Sequence, residues 1–385
     1  MQRSLFITLV FGALIVNSGK CQDLDTLVDV GGYHLHFHII KGNGTPILFE
    51  SGSGADVTVW DTILKPLADV THTTLITYDR AGFGKSELDS SNEDINKHGI
   101  LNGIEGLEAG LKKLGYNGNI ILVASSFGGF CATLYAARHQ TTVKALVGVD
   151  MNHVSWFTDS FVNAEMIERK RDAEIIKSRG LAIFYQQLNL QNTIDLMRKT
   201  PFPPTVPAID LVSQFNFPDS LYSARWRECH RQFAAAQPNR EGIFANECGH
   251  IIFRDNPLLV ISAIVKAYAG TLNREQNDEM IKRLLSYNLV AANDARREEL
   301  QYRHSMDDLV SWGNALLQKN EKEKAIEGFK LNVFFNLENA DAFENLAQAY
   351  ESAGNKELAI ENYKHSLQLN PGNTNAKDHL KKLLP

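Results

Sequence analysis

The chain has 385 residues, 44% of them hydrophobic and 22% charged, with a formal net charge of −6. That length suffices for one large domain and a smaller one, each burying its own core. The charge is spread without a basic block, which argues against nucleic acid and for small or neutral partners.

Residues 1–21, MQRSLFITLVFGALIVNSGKC, begin with Arg3, continue in an apolar run from Leu5 to Val16, and leave through Asn17-Ser18-Gly19. The run is short for a permanent span. It is expected to be a cleaved export signal, cut after Ser18 or Cys21, leaving a periplasmic or secreted chain with no stable membrane span. Lys20 interrupts the small-residue pattern of a lipid-attachment box, so anchoring at Cys21 is not expected. The other cysteines, Cys131, Cys229 and Cys248, are too few for a disulfide framework. Buried or free thiols are expected, with a Cys229–Cys248 bridge as the alternative. No paired CxxC unit is present, and neither a metal nor a cofactor is expected.

From 22 to 270 strand-like runs alternate with helical ones, which predicts an α/β domain with a mostly parallel sheet. An opening hairpin is expected over Val28–Glu50, with Gly42-Asn43-Gly44 as its turn. Further strands are predicted at Thr74–Tyr78, Asn119–Val123, Ala145–Asp150, Pro207–Val212 and Gly242–Asn246. Helices are predicted near Trp60–Ala68, Gly103–Leu114, Phe127–His139 and Asn256–Tyr268. Residues 151–206 break the alternation; they are helical in pattern and carry Trp156, Phe157, Phe161 and Phe184. An insertion of this length is expected to be a lid. Its aromatics serve equally well as a small core of their own or as pocket walls.

Beyond Tyr268 the pattern is charged and helical, with 271–305 expected as a helical linker. A spacing of 34 then pairs Trp312-Gly313 with Leu346-Ala347, Leu316 with Tyr350, Asn320 with Gly354, Ala325 with Ala359, and Phe329 with Tyr363. Small residues where helices cross, and aromatics filling the gaps, resemble the tetratricopeptide repeat. Two repeats and a capping helix are expected over 306–385, a small all-α domain open to a protein partner.

The chemistry is concentrated in ILVASSFGGF, Ile121–Phe130. A strand turning sharply into a helix can hold one strained, exposed side chain, provided small residues lie two positions to either side. Ser126 has Ala124 and Gly128 there; Ser125 would have Val123 and Phe127. Sterics select Ser126, and alanine in place of a glycine adds only one methyl group. A serine hydroxyl needs a base, and the base an acid to orient it. Gly249-His250 lies in a loop just past the last predicted strand, which places His250 at the sheet edge that carries Ser126.

With the order serine, acid, histidine, these motifs make residues 27–270 resemble the α/β-hydrolase family. The resemblance implies an oxyanion loop at FESGSGAD, Phe49–Asp56, with the amides of Ser53 and Phe127 as donors. TYDRAGFGKSE, Thr77–Glu87, is similar to the family's Asp-x-x-Gly-x-Gly-x-Ser turn. Gly84-Lys85-Ser86 is no phosphate loop, because Asp79 stands where that motif needs its first glycine. Asp150, ending ALVGVD and followed by His153 in the Asp-x-x-His pattern of one family branch, is the expected acid. Asp219 is the alternative.

His34, His36 and His38 share one face of a strand, and polar-out alternation is expected there rather than a metal site. His230 is expected on a helix surface. The implied activity is acyl transfer by a Ser126–His250–Asp150 triad on a small ester, thioester or amide, without a cofactor. The rival reading is a hydrolase-like binding protein whose repeats recruit a protein partner.

Overall fold

The computed structural model describes residues 23–89, 92–216, 220–292 and 306–384. The export-signal stretch, the 293–305 part of the linker and Asp219 lie outside the described residues.

Eight strands form one sheet: β1 (Asp23–Asp29), β2 (His34–Ile40), β3 (Ile47–Glu50), β4 (Leu75–Tyr78), β5 (Ile120–Ser125), β6 (Val143–Val149), β7 (Ala208–Phe215) and β8 (Arg240–Gly249). Their order is β1-β2-β4-β3-β5-β6-β7-β8. β2 pairs antiparallel with β1 and β4, and every later pairing is parallel. β3, β4 and β5 are buried along their whole length, as strands covered by helices on both faces must be.

The Gly42-Asn43-Gly44 turn is not a hairpin. β2 and β3 are not neighbours, because β4 lies between them, and Asn43 N–H instead donates to His72 O at 2.9 Å. The hairpin joins β1 to β2 through Gly31 and Gly32, with φ of 112° and 113°. Such angles suit glycine, and the Asp29 carboxylate caps both amides at 2.9 and 3.3 Å.

The helices follow in chain order: α1 (Asp61–Thr71), α2 (Ile100–Leu114), α3 (Gly128–Arg138), α4 (Asp159–Arg171), α5 (Ala173–Ser178), α6 (Leu181–Leu188) and α7 (Leu190–Arg198). After β7 come α8 (Ser220–Ala235), α9 (Ile252–Asp255), α10 (Pro257–Ala269) and α11 (Arg274–Ala292). One face of the sheet packs on α2, α3, α7 and α8 through Leu107, Phe130, Ile194 and Trp226. The other packs on α1, α10 and α11 through Leu67, Ile264 and Leu284. α4–α7 are inserted between β6 and β7. Trp156 and Phe157, at the root of this insertion, are buried against Phe130 and Trp226 and belong to the main core. Cys131, Cys229 and Cys248 are buried, with no disulfide among the described residues.

The C-terminal helices are α12 (Met306–Gln318), α13 (Lys322–Phe335), α14 (Ala340–Ser352), α15 (Lys356–Leu369) and α16 (Thr374–Leu383). Their core takes equivalent residues from both units: Leu316 and Tyr350, Ala325 and Ala359, Phe329 and Tyr363. A methyl at Gly313 would come within 2.5 Å of the Phe329 ring, so the two helices of the first unit cross at a glycine. Asn320 and Gly354, 34 residues apart, both adopt positive φ (61° and 83°) just after α12 and α14. A left-handed residue there ends each helix and turns the chain into the next. Among the described residues, no helix is long and apolar enough to cross a membrane.

Candidate active site

The parallel strands β5, β6 and β8 deliver Ser126, Asp150 and His250 to one edge of the sheet, each immediately after its strand ends. Ser126 has φ of +51°, in the left-handed region that a side chain adopts only under constraint. The constraint is visible. Ser126 O accepts from Gly129 N at 2.9 Å and Asn152 N at 2.8 Å, tying the turn to the segment after β6. A methyl at Gly128 would lie 2.2 Å from Glu50 O, and one at Gly129 2.7 Å from Met151 Cβ. Ala124 is fully buried yet tolerated.

Asp150 is also held at positive φ, +49°. Its fully buried carboxylate accepts from Ser213 N, Ser213 Oγ and Trp226 Nε1, each at 2.8 Å. The fourth donor is His250 Nδ1, at 2.6 Å from Oδ2. An imidazole whose Nδ1 proton is committed to a carboxylate presents Nε2 as the base. Gly249 N donates to Asp255 Oδ2 at 2.7 Å, which fixes the loop that carries the histidine. The His250 side chain remains 30% exposed, whereas Asp150 is sealed.

The loop after β3 packs against the serine: a methyl at Gly52 would be 3.3 Å from Ser126 Cβ. Arg80 holds this loop, donating from Nη1 to Ser51 O at 2.5 Å and from Nη2 to Gly52 O. Trp60 Nε1 donates to Ser51 Oγ at 3.0 Å, and Gln186 of α6 donates to Ser53 Oγ at 2.6 Å. Phe127 directly precedes α3, so its amide belongs to the first turn of a helix. Arg80 also lies 5.5 Å from the centre of the Phe127 ring. Gly52, the neighbour of Ser53, and Phe127 therefore flank the same serine.

The Asp79–Ser86 turn closes on its own carboxylate. Asp79 accepts from Val57 N and Lys85 N at 2.8 Å and from His36 Nδ1 at 2.7 Å. Gly84, at φ +52°, has no room for a methyl beside that carboxylate. His36 is thus not a polar-out residue. It is 1% exposed and joins Asp79 to Asp25. His230 is likewise no surface residue; it is 2% exposed and bonded to Asp210.

A cavity of about 290 Å³ opens beside Phe127, lined among others by Tyr33, Tyr78, Arg80, Cys131 and Tyr185. Trp156, Phe157 and Phe161 do not line it. At its base Glu50 is fully buried, with Tyr78 Oη donating to both carboxylate oxygens at 3.0 Å. Burial pushes the Glu50 carboxyl up to about 7, with Arg80 and the tyrosine hydroxyl pulling the other way. Burial raises the Cys131 thiol well above its usual range, so it is no thiolate nucleophile.

The partners of Asp150 on β7 and α8, the Arg80 clamp and the Gln186 contact are not marked by any motif. Only the presence of a large apolar side chain, Trp226, within the charged run RWRECH hints at burial.

Comparison with known proteins bears on the fold and the repeats. Residues 45–170 match the family model described as the alpha/beta hydrolase fold, and residues 340–373 match the tetratricopeptide repeat. A proline iminopeptidase of Thermoplasma volcanium is 25% identical over 198 residues, 49% of this chain and 64% of that protein. A cis-3-alkyl-4-alkyloxetan-2-one decarboxylase of Shewanella oneidensis is 33% identical over 117 residues, 30% of this chain and 35% of that protein. The chain thus spans less than two thirds of these relatives' own length. Among solved structures, an esterase of Thermogutta terrifontis is 20% identical, with a TM-score of 0.47 over 63% of this chain and 96% of that chain. An epoxide hydrolase of Vigna radiata is 16% identical, with a TM-score of 0.49 over 63% of this chain and 96% of that chain. The chain therefore carries an α/β-hydrolase fold domain followed by a tetratricopeptide-repeat region.

Proposed function

We propose that the chain is an exported serine hydrolase that cleaves a carboxylic ester or thioester through an acyl-enzyme. The observation that carries this reading is the 2.6 Å bond between His250 Nδ1 and Asp150 Oδ2, at the sheet edge where Ser126 is held at positive φ. His250 Nε2 takes the Ser126 proton as Oγ bonds to the substrate's carbonyl carbon. The amides of Ser53 and Phe127 receive the oxyanion. The carbon–leaving-group bond then breaks, and the imidazolium returns its proton to the departing alcohol or thiol. Water, deprotonated by the same imidazole, releases the acid and restores the serine. Asp150 keeps the ring in the required tautomer and stabilises its cation. Serine at the elbow separates this chemistry from reactions that open with an aspartate nucleophile.

The proline iminopeptidases of Thermoplasma volcanium and Saccharolobus solfataricus make an amide the second substrate class to test. The repeats then extend the enzyme towards a protein partner.

A fluorophosphonate probe tests the reading. Labelling of the wild type that is lost in Ser126→Ala supports it, and folded wild-type protein that takes no label overturns it. A panel of p-nitrophenyl esters and aminoacyl p-nitroanilides then sorts ester from amide. Loss of turnover in Asp219→Asn but not Asp150→Asn would transfer the acid's role to Asp219.

A further inference from the structure

A second carboxylate–histidine cluster lies one strand away from Asp150 and takes no part in the chemistry above. Asp210 stands in β7 in register with Gly148 of β6, and is 1% exposed. His153, from the segment after β6, brings Nε2 to 2.9 Å from Asp210 Oδ2. His230, on α8, brings Nδ1 to 2.8 Å from the same oxygen. The three donor atoms lie within 4.8 Å of one another, and all three residues are buried. Three separate elements thus converge on one point.

Both imidazoles meet at Oδ2, while Oδ1 and His230 Nε2, which are buried without a hydrogen-bond partner, are not among the three converging donor atoms. Oδ1 faces β6 so closely that a methyl at Gly148 would come within 2.6 Å of it. Oδ2 is therefore the one carboxylate atom turned towards the histidines. Nitrogen-to-oxygen separations of 2.8 and 2.9 Å are those of ligands about 2.0–2.1 Å from a shared ion at roughly right angles. A spread of about half an ångström would reach tetrahedral spacing.

We propose that His153 Nε2, Asp210 Oδ2 and His230 Nδ1 form a site for a divalent transition-metal ion of the zinc class. Two imidazoles and one carboxylate are borderline donors of the kind such ions take. The nearby cation, Arg240, does not compete: it donates to the carbonyls of Phe233 and Phe202 and stacks on both rings. A cavity between α8 and β8 reaches Asp210 and His230; Arg227 and Arg231 also line it, but Arg227 donates to Gln214 O and Arg231 to the Glu228 carboxylate. An ion bound by the three ligands would tie the segment carrying Asp150 to β7 and α8.

The test uses the full chain, stripped with a chelator and titrated with zinc chloride and with cobalt chloride. One equivalent of each ion should bind, with Tm rising by several degrees and cobalt giving ligand-field absorption. His230→Gln and His153→Gln should each weaken zinc binding on the order of 100-fold, and His34→Gln, on β2, should not change it. If a variant fails to fold, zinc-dependent protection of His153 and His230 from diethyl pyrocarbonate in the wild type takes its place. Stripped protein that binds neither ion stoichiometrically overturns the site. So does a folded His230→Gln that binds like wild type, or equal modification of both histidines with and without zinc. None of these readouts depends on hydrolase activity.

Discussion

On the β3 side of the sheet, Glu50 is sealed with a tyrosine hydroxyl and an arginine 4.0 Å away, and its carboxyl is pushed up to about 7. On the β6–β7 side, Asp150 and Asp210 are as deeply buried but meet imidazoles at 2.6–2.9 Å. Burial is common to all three; the difference lies in the partners. A carboxylate that receives directed N–H donors keeps its charge inside a protein, and one that does not tends to hold its proton. The β6–β7 carboxylates themselves differ by access. His250 is partly exposed beside Asp150 and can meet a substrate, whereas His153 and His230 are closed in around Asp210.

Point substitutions would break or sharpen this contrast. Asp150→Asn should lower kcat by about 10⁴-fold, because the amide favours the wrong tautomer of His250. Asp210→Asn, measured in the same ester assay, should cost less than about tenfold. Gly128→Ala should destabilise by about 3 kcal/mol or more in urea unfolding, since its methyl meets the backbone oxygen of Glu50. Gly148→Ala should cost less, because the Asp210 carboxylate and Met151 side chain it meets can shift.

Glu50→Gln probes the β3 side. The folded carboxyl titrates near 7 against an ordinary 4.5. Between these values the folded state holds more protons than the unfolded one, so wild-type stability falls as pH rises from 4.5 to 7. The variant should lack that fall, gaining up to about 3 kcal/mol on wild type between pH 5 and pH 8. Urea midpoints at the two pH values would measure it. A loss between those of Asp150→Asn and Asp210→Asn is expected of Trp226→Phe, which removes one donor from Asp150 while keeping an aromatic ring near His230. Turnover should fall roughly tenfold, with KM nearly unchanged.

The sequence carried the site's chemistry further than its architecture. Ser126 followed from sterics around one turn, and His250 from its place after a strand, because both signals are local. Asp150 was expected from a strand end and the Asp-x-x-His pattern, with Asp219 as the alternative. The Asp150 partners Ser213 and Trp226 were not expected, since they come from β7 and α8 and meet it only through tertiary packing. Strand periodicity placed His34, His36 and His38 on one face but could not show that Asp79 and Asp25 enclose the middle one. His230 was misplaced for the same reason: helix composition does not reveal a buried carboxylate opposite. Gly42-Asn43-Gly44 carries a hairpin's local signal, and only strand order, fixed by β4 inserting between β2 and β3, overrules it. The repeats were legible because their period of 34 is itself the architecture.

The first strand has a further consequence, for how the molecule meets copies of itself. Among the described residues β1 pairs only with β2, so its outer side is an open border of the sheet. Asp23, Asp25 and Asp29 lie exposed along that strand, with exposed Leu27 between the last two. A second chain trying to extend the sheet there would bring its own three carboxylates against these, and like charge would push it off. The same row that helps hold the turn after β4 thereby discourages fibre-like self-association at high concentration.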